Sequence, residues 1–346
     1  MIHAMIMAGG KGSRFWPMSR LKKAKQFLSI LGDSPLLDYT INRIAPLIDN
    51  ENCWLLANNE QSQYLDAITS VQQNNILREP FGKNTAACIV WGAFEALKRD
   101  PEAILVNISA DAWISNQKGF ETTILKAIEE VRLHNSLVTI GIRPRSAHTG
   151  YGYIETSSKQ GDVYSVKSFT EKPDAITAES YYKNEHYFWN AGIFVWKASR
   201  LLELINEHMP THYKQLKKMT DQTIKDPNNV ATYYSKLDPL SIDYGLLEKI
   251  GPQISLVPAE FEWDDIGSWS SLEPYLEKDA FQNAIRGKAI TYDSHRNIIF
   301  SNKKLIALCH VNDCIIVDTD DALLIVPKKF DQDIKHLYNS VSDDYK

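Results

Sequence analysis

No apolar run in this chain approaches the ~20 residues that a helix needs to cross a bilayer, so a membrane-spanning helix is not expected. Cysteine is scarce: Cys53, Cys88, Cys309 and Cys314 are the only four in 346 residues. They form neither a CxxC pair nor a zinc-finger spacing, so free thiols in a reducing cytoplasm are expected. The N-terminus has no basic n-region and reaches Gly9-Gly10 before a long apolar segment develops, so Met1–Met7 reads as a first strand rather than a signal peptide. Positive charge is not in excess either. A formal net charge of −5 argues against a nucleic-acid binder, which needs clustered Lys and Arg. Any polyanion bound here is small, and a nucleotide fits.

The remaining composition is ordinary for a globular protein: 44% hydrophobic and 23% charged residues. The length suits one large core with a small appendage. Short apolar runs alternate with helical patterns through the first half. Strands are expected at Ala4–Met7, Cys53–Ala57, Ile76-Leu77, Ile104–Ile108 and Leu137–Ile142. Between them lie helical faces built from Leu37, Ile41 and Ile44, from residues 60–71, from Ala87, Val90, Trp91 and Phe94, and from Ile124, Ala127 and Val131. This βαβα rhythm implies an α/β fold with a parallel sheet covered by helices. After Pro144 the rhythm loosens. Strands Tyr151–Thr156 and Val163–Phe169, a helical region 198–217, a strand Ile254–Val257 and a helix 268–276 are expected. From Gly287 onward, closely spaced short strands suggest a small all-β unit. The boundaries drawn are 1–284 for the large domain and 285–346 for the small one.

Two common phosphate loops are missing. No GxxxxGK[ST] occurs, and Phe15 stands where a dinucleotide fingerprint needs a third glycine. The first strand leads instead into Ala8-Gly9-Gly10-Lys11-Gly12-Ser13-Arg14-Phe15-Trp16-Pro17. Such glycines let backbone N–H groups approach phosphate oxygens closely, although a glycine cluster alone is more often a plain tight turn. Arg14 and Lys25 favour the phosphate reading, because two cations beside such a loop suit a triphosphate.

The run from Gly9 to Arg20, together with Lys25-Gln26-Phe27-Leu28, resembles the signature of nucleotidyltransferases that activate sugar 1-phosphates. Its Arg-Phe-Trp-Pro-Met-Ser-Arg form is similar to that of bacterial GDP-mannose pyrophosphorylases, the mannose-1-phosphate guanylyltransferases. The resemblance implies a Rossmann-like domain with a mixed, mostly parallel sheet, plus a C-terminal all-β unit of left-handed β-helix-like character. It implies that Ala8, Gly9, Gly10, Gly12 and Ser13 wrap the nucleotide phosphates while Arg14 and Lys25 act on the triphosphate and leaving pyrophosphate. Two departures stand out. Ala24 replaces the usual Pro before Lys-Gln, and Ala112 replaces the His that usually comes after the Ala-Asp pair.

Asp111, at the end of the strand Ile104–Ile108, would on its own be a turn or cap residue. Asp265, in Trp263-Asp264-Asp265-Ile266-Gly267-Ser268-Trp269, is equally ambiguous. The resemblance assigns both to a metal ion, Mg²⁺, and leaves Asp264 as a variable position. It assigns Glu79, Asn84 and Thr85, in Glu79-Pro80-Phe81-Gly82-Lys83-Asn84-Thr85-Ala86, to the nucleotide; read alone, the segment is a capped helix start. Thr149-Gly150-Tyr151-Gly152-Tyr153-Ile154, Phe169-Thr170-Glu171-Lys172-Pro173 and Trp189-Asn190-Ala191-Gly192 are individually weak signals. Together they resemble the family's sugar-phosphate segments, implying that Gly152, Glu171 and Asn190 contact sugar hydroxyls and that Lys172 holds the sugar phosphate. Ser241-Ile242-Asp243-Tyr244 is also family-like and reads as structural support.

The activity implied is transfer of GMP from GTP to mannose 1-phosphate by in-line attack at the α-phosphorus. The partners are those two substrates, with no nucleic acid and no membrane; a homodimer through the small β unit stays open. Rivals are the same chemistry on another sugar 1-phosphate or nucleotide, and a paralogue that senses nucleotide sugar without turnover. A Rossmann oxidoreductase is a distant third, given the wrong glycine spacing.

Overall fold

The computed structural model describes residues 1–10, 12–68, 70–222 and 229–346. Two compact units emerge from the packing, and each draws on separated stretches of chain. The first comprises Met1–Gly9, Thr40–Ala110 and Ile114–Trp263; the second comprises Gly10–Tyr39, Asp111–Trp113 and Asp264–Lys346.

The first unit is built on a nine-stranded sheet. In chain order the strands are β1 (Ile2–Ala8), β2 (Cys53–Asn58), β3 (Ile76–Glu79), β4 (Ile104–Ser109), β5 (Trp113–Ile114), β6 (Leu137–Ile142), β7 (Tyr153–Gln160), β8 (Val163–Thr170), β9 (Tyr187–Lys197), β10 (Ile254–Pro258) and β11 (Trp263–Asp264). The sheet order is β3-β2-β1-β4-β9-β6-β10-β8-β7, with β5 and β11 outside it. Strands β1 to β4 pair in parallel, as do β6 and β10. Strand β9 runs antiparallel to β4 and to β6. This reversal, with the antiparallel pairings of β8 to β10 and of β7 to β8 and β9, makes the sheet mixed, and no local pattern announces it, because β9 is as apolar as β4 and β6. β2 and β6 are buried along their full length, as expected of strands covered on both faces.

Helix Asn84–Arg99 is buried nearly all round: Gly92 lies against Met5 and Leu56 of the sheet, while the Trp91 ring packs on Tyr234 at 5.8 Å. The helical region expected at 198–217 is two helices, Ala198–His208 and Pro210–Gln222. Pro210 has no N–H to continue the first helix, so it opens the second. Among its described residues, the polar stretch 60–71, expected to be helical, has the single helical turn Ser62–Leu65 after a 3₁₀ turn. Too few apolar residues recur there to hold a longer helix against the sheet.

The second unit carries the short strands β12 (Ala284–Arg286), β13 (Ala289–Tyr292), β14 (Ile298–Ser301), β15 (Ile306–Cys309), β16 (Cys314–Asp318) and β17 (Leu323–Pro327). β12, β14 and β16 stack in parallel, β13 stacks on β15, and β17 closes the end in antiparallel fashion. Successive rungs of a coil stack in this way. Its corners are held by buried asparagines: Asn297 N donates to Asn283 Oδ1 at 2.9 Å, and Cys314 N donates to Asn297 Oδ1 at 3.0 Å. The ladder satisfies backbone donors that a buried turn would otherwise strand. The segment expected as helix 268–276 is a 3₁₀ stretch, Ser270–Tyr275, with Pro274 inside it.

One core unites this unit's pieces. Phe15, Trp16, Leu28, Ile266, Trp269, Phe300, Val317, Ile334 and Tyr338 all belong to it. Trp269 is central: its ring lies 5.2 Å from Phe15 and 4.9 Å from Phe300, and its indole N–H donates to the Trp16 carbonyl at 3.3 Å. The turn Ser13–Phe15 and Trp16 after it are thus held by an aromatic core.

Candidate active site

Within the second unit a cavity of about 340 Å³ is lined by Gly12, Ser13, Arg14, Phe15, Lys25, Asp111, Asp265, Ile266, Gly267 and Lys335. Gly12 makes the turn into this cavity with φ 63, in the left-handed region that favours glycine. A Cβ at that position would lie 2.5 Å from the Lys25 Cβ. The glycine is therefore required twice over, by its backbone angle and by the close approach of Lys25. Ser19 Oγ donates to the Gly12 carbonyl at 2.7 Å and fixes the turn.

Lys25 is buried. Its ammonium donates to Asp111 Oδ2 at 3.0 Å and to the Asp265 carbonyl at 2.6 Å, and lies 5.7 Å from the centre of the Phe15 ring. Phe15, which breaks the dinucleotide fingerprint, thus supports the Lys25 side chain. Ala24, at the position where the resemblance leads to an expected Pro, adopts φ −70, the angle a proline would impose.

Asp265 sits in a strained turn. Ile266, a β-branched residue, has φ 47, and its N–H donates to Asp264 Oδ1 at 2.8 Å. Asp264 also accepts from the Tyr275 hydroxyl at 3.2 Å, so it buttresses the turn while Asp265 lines the cavity. Asp111 and Asp265 line one cavity with Gly12, Arg14 and Lys25, as the sequence suggests. Among the described residues no cluster of three or more His, Cys, Asp or Glu is gathered for a metal ion. Two carboxylates are what magnesium typically takes from a protein when phosphate oxygens and water complete its shell, so this donor set fits that ion.

The first unit holds the other residues expected at the site. At the end of β3, Glu79 is buried and accepts from the Tyr234 hydroxyl at 2.8 Å. A Cβ on Gly9 would stand 3.2 Å from Glu79 Oε2, so the glycine lets that carboxylate approach the end of β1. Burial pushes the Glu79 carboxyl up to about 7. Asn84 and Thr85 do not cap the helix in the ordinary way. Asn84 itself has φ 65, and Thr85 Oγ1 accepts the Ile242 N–H at 2.9 Å.

Gly152, Glu171, Lys172 and Asn190 also come together. Any side chain at Gly152 would collide with the Glu171 carboxylate, which pairs with the Lys172 ammonium. Lys172 takes φ 46, a third non-glycine residue in the left-handed region beside an expected site position. Asn190 N donates to the Gly152 carbonyl at 2.9 Å. Its side-chain amide is held at both ends: Oδ1 accepts from Gly192 N at 3.0 Å, and Nδ2 donates to Asp243 Oδ1 at 2.9 Å. Burial, aided by the Glu171 charge, raises the Asp243 carboxyl to about 6.

The sequence alone gives Asp243 no more than a supporting role. In the fold it opens the π-helical turn Asp243–Leu247 and grips Asn190 directly. Tyr234 and Lys335 carry no sequence signal, since neither falls in a motif.

A family model described as Nucleotidyl transferase matches residues 3–281, most of the chain. This chain belongs to the nucleotidyltransferase family. A second model, the MannoseP isomerase/GMP-like beta-helix domain, matches residues 287–340 and accords with the stacked strands β13 to β17. Mannose-1-phosphate guanylyltransferase of Salmonella muenchen is 36% identical over 342 residues, 96% of this chain and 71% of that protein. Alginate biosynthesis protein AlgA of Pseudomonas aeruginosa is 34% identical over 343 residues, 96% of this chain and 70% of that protein. Among solved structures, one named mannose-1-phosphate geranyltransferase from Thermus thermophilus superposes with a TM-score of 0.88 at 29% identity, covering 98% of each chain. The nucleotidyltransferase domain with its mixed sheet, continued by a β-helix domain, is therefore the architecture of this chain. No helix among the described residues is long and apolar enough to cross a membrane.

Proposed function

We propose that this nucleotidyltransferase transfers GMP from GTP to mannose 1-phosphate, forming GDP-mannose and pyrophosphate. The observation that carries the reading is the cavity in which Gly12, Arg14, Lys25, Asp111 and Asp265 meet, in a chain whose relatives are named for this reaction. Catalysis is assigned to residues 1–284, and the small β domain to 285–346.

A phosphate oxygen of mannose 1-phosphate attacks the α-phosphorus of GTP. The new O–P bond forms as the bond to the β-phosphate oxygen breaks, and that oxygen leaves with the electron pair on pyrophosphate. A phosphate monoester is already ionised near neutral pH, so the protein needs no general base and acts by alignment and charge neutralisation. Ala8, Gly9, Gly10, Gly12 and Ser13 bring backbone N–H groups to the nucleotide phosphates. Arg14 and Lys25 meet the charge that grows on the leaving pyrophosphate. Lys172 holds the phosphate of the sugar, while Gly152, Glu171 and Asn190 receive its hydroxyls. Glu79, Asn84 and Thr85 serve the guanosine end.

Asp111 and Asp265 would hold Mg²⁺. When bound, that ion supplies positive charge to the phosphate oxygens. The Lys25 contact to Asp111 already shows a carboxylate oriented toward a cation. The four cysteines are free, which supports a reducing, cytoplasmic setting. The exposed Ile290, Tyr292, Leu323 and Ile325 support a homodimer formed through the β domain.

The test is a panel of mannose 1-phosphate and glucose 1-phosphate, each offered with all four nucleoside triphosphates, read by pyrophosphate release. Highest kcat/KM for GTP with mannose 1-phosphate is expected. A different preferred pair moves the substrate assignment, and no release from any pair rejects the enzyme reading for a nucleotide-sugar sensor.

A further inference from the structure

The phosphate cavity contains a cation that belongs to no motif. Lys335 lies in the C-terminal helix Ile334–Ser340, far along the chain from the glycine segment, yet it lines the cavity with Gly12, Arg14, Lys25, Asp111 and Asp265. Its neighbours account for its placement. Ile334 and Tyr338, one helical turn apart, are buried in the aromatic core that holds Phe15 and Trp269. With that face turned inward, Lys335 is on an exposed face of the helix.

Two hydrogen bonds hold the segments on either side of the helix against those that carry the site. The buried Asp331 accepts from Ser268 Oγ at 2.6 Å, three residues beyond Asp265. The helix itself packs on the turn Ser13–Phe15 that comes after Gly12. Trp16 Nε1 also donates to the Tyr345 carbonyl at 2.8 Å, tying the tail to the same turn.

Charge distinguishes the cations of this cavity. Lys25 is engaged by Asp111 and the Asp265 carbonyl. Arg14 and Lys335, among the described residues, have no hydrogen-bond or ion-pair partner, although both line a cavity that also contains carboxylates. Two unneutralised cations beside a glycine turn of backbone N–H groups make a receptor for an anion of more than one charge.

We infer that Lys335 is a substrate-contacting residue: its ammonium binds the β- and γ-phosphates of the nucleotide and stays with them in the leaving pyrophosphate. The β-helix domain thereby supplies a cation to the chemistry instead of serving only as a scaffold. This rests on the nucleotidyltransferase reading above and names a residue that reading does not use. Lys335 donates hydrogen bonds throughout and transfers no proton, so the balance of the reaction is unchanged.

The experiment compares wild type with Lys335→Gln and Lys335→Arg in both directions, alongside calorimetric titration with inorganic pyrophosphate and Mg²⁺. A charge-assisted hydrogen bond lost to Gln predicts a roughly ten- to hundredfold rise in KM for GTP and for pyrophosphate in the reverse reaction. The calorimetric Kd for pyrophosphate should weaken by a similar factor, while KM for mannose 1-phosphate and the melting temperature hold. Lys335→Arg should recover most of the loss. Wild-type pyrophosphate affinity in Lys335→Gln overturns the inference. A wild-type enzyme that gives GTP from GDP-mannose and pyrophosphate while Lys335→Gln behaves identically sinks this inference alone. A wild type that makes no such exchange sinks the functional reading instead.

Discussion

The Lys25 ammonium donates to Asp111 Oδ2 at 3.0 Å, across 86 positions of sequence, and the same nitrogen donates to the Asp265 carbonyl at 2.6 Å. One buried lysine therefore fastens together the two segments that carry the carboxylates. It also explains why the glycine segment must turn where it does, since Gly12 leaves room for the Lys25 stem.

Gly12→Ala tests that dependence. The added Cβ would lie 2.5 Å from Lys25 Cβ, and φ 63 is unfavourable for alanine. We expect a loss of stability of roughly 1–3 kcal/mol, together with a fall in kcat because Lys25 is displaced. Chemical denaturation and steady-state kinetics read both. A variant with wild-type stability and kcat shows that the turn is not strained in the way described.

Asp243→Asn tests the grip on Asn190. Asparagine can still accept from Asn190 Nδ2 through its own amide oxygen, but without the carboxylate's charge, so the grip on that amide weakens. KM for mannose 1-phosphate should rise about five- to thirtyfold, from the loss of ~1–2 kcal/mol, with KM for GTP unchanged. Placed in an Asn190→Ala background, the same substitution should add little, because the two act as a unit. Full additivity in the double variant separates Asp243 from Asn190.

Glu79 gives a pH signature. Its carboxyl is raised by burial from 4.5 to about 7, so the folded protein binds a proton there that the unfolded chain releases. This group's contribution to stability is therefore greatest below about pH 4.5 and is lost as pH rises toward and past about 7. Asp243, raised to about 6, acts in the same direction over a lower window. Glu79→Gln keeps an acceptor for the Tyr234 hydroxyl and removes the titration. The melting temperature of the variant should fall less between pH 5 and 8 than that of wild type, with weaker GTP binding. Parallel melting curves across that range contradict the assignment.

Much of the site is legible in the sequence because its residues lie in short motifs, each fixed by one local backbone feature. Gly12, Lys25, Asp111 and Asp265 are of this kind, and the cavity gathers them. Glu171, Lys172 and Asn190 likewise meet around Gly152. The hidden features depend on tertiary placement. The antiparallel β9 has the same apolar composition as a parallel strand, so its direction is set by pairing with β4 and β6 rather than by its residues. Asp243 looks like a loop carboxylate until Asn190 is seen to donate to it. Lys335 stands among surface lysines in sequence, and only the burial of Ile334 and Tyr338 reveals which way it faces. The asparagine ladder at 283 and 297 is spaced by one coil of the β domain, a period that becomes visible once the strands are stacked.

In the proposed reaction Asp111 and Asp265 serve one divalent ion at the phosphates. Turnover of GTP and mannose 1-phosphate should be measured by pyrophosphate release across a Mg²⁺ titration for wild type, Asp111→Asn and Asp265→Asn. Each substitution is expected to lower kcat at least about a hundredfold and to raise the Mg²⁺ requirement, with the melting temperature nearly unchanged. Near-normal turnover at ordinary Mg²⁺ in either variant contradicts the metal assignment and the mechanism built on it.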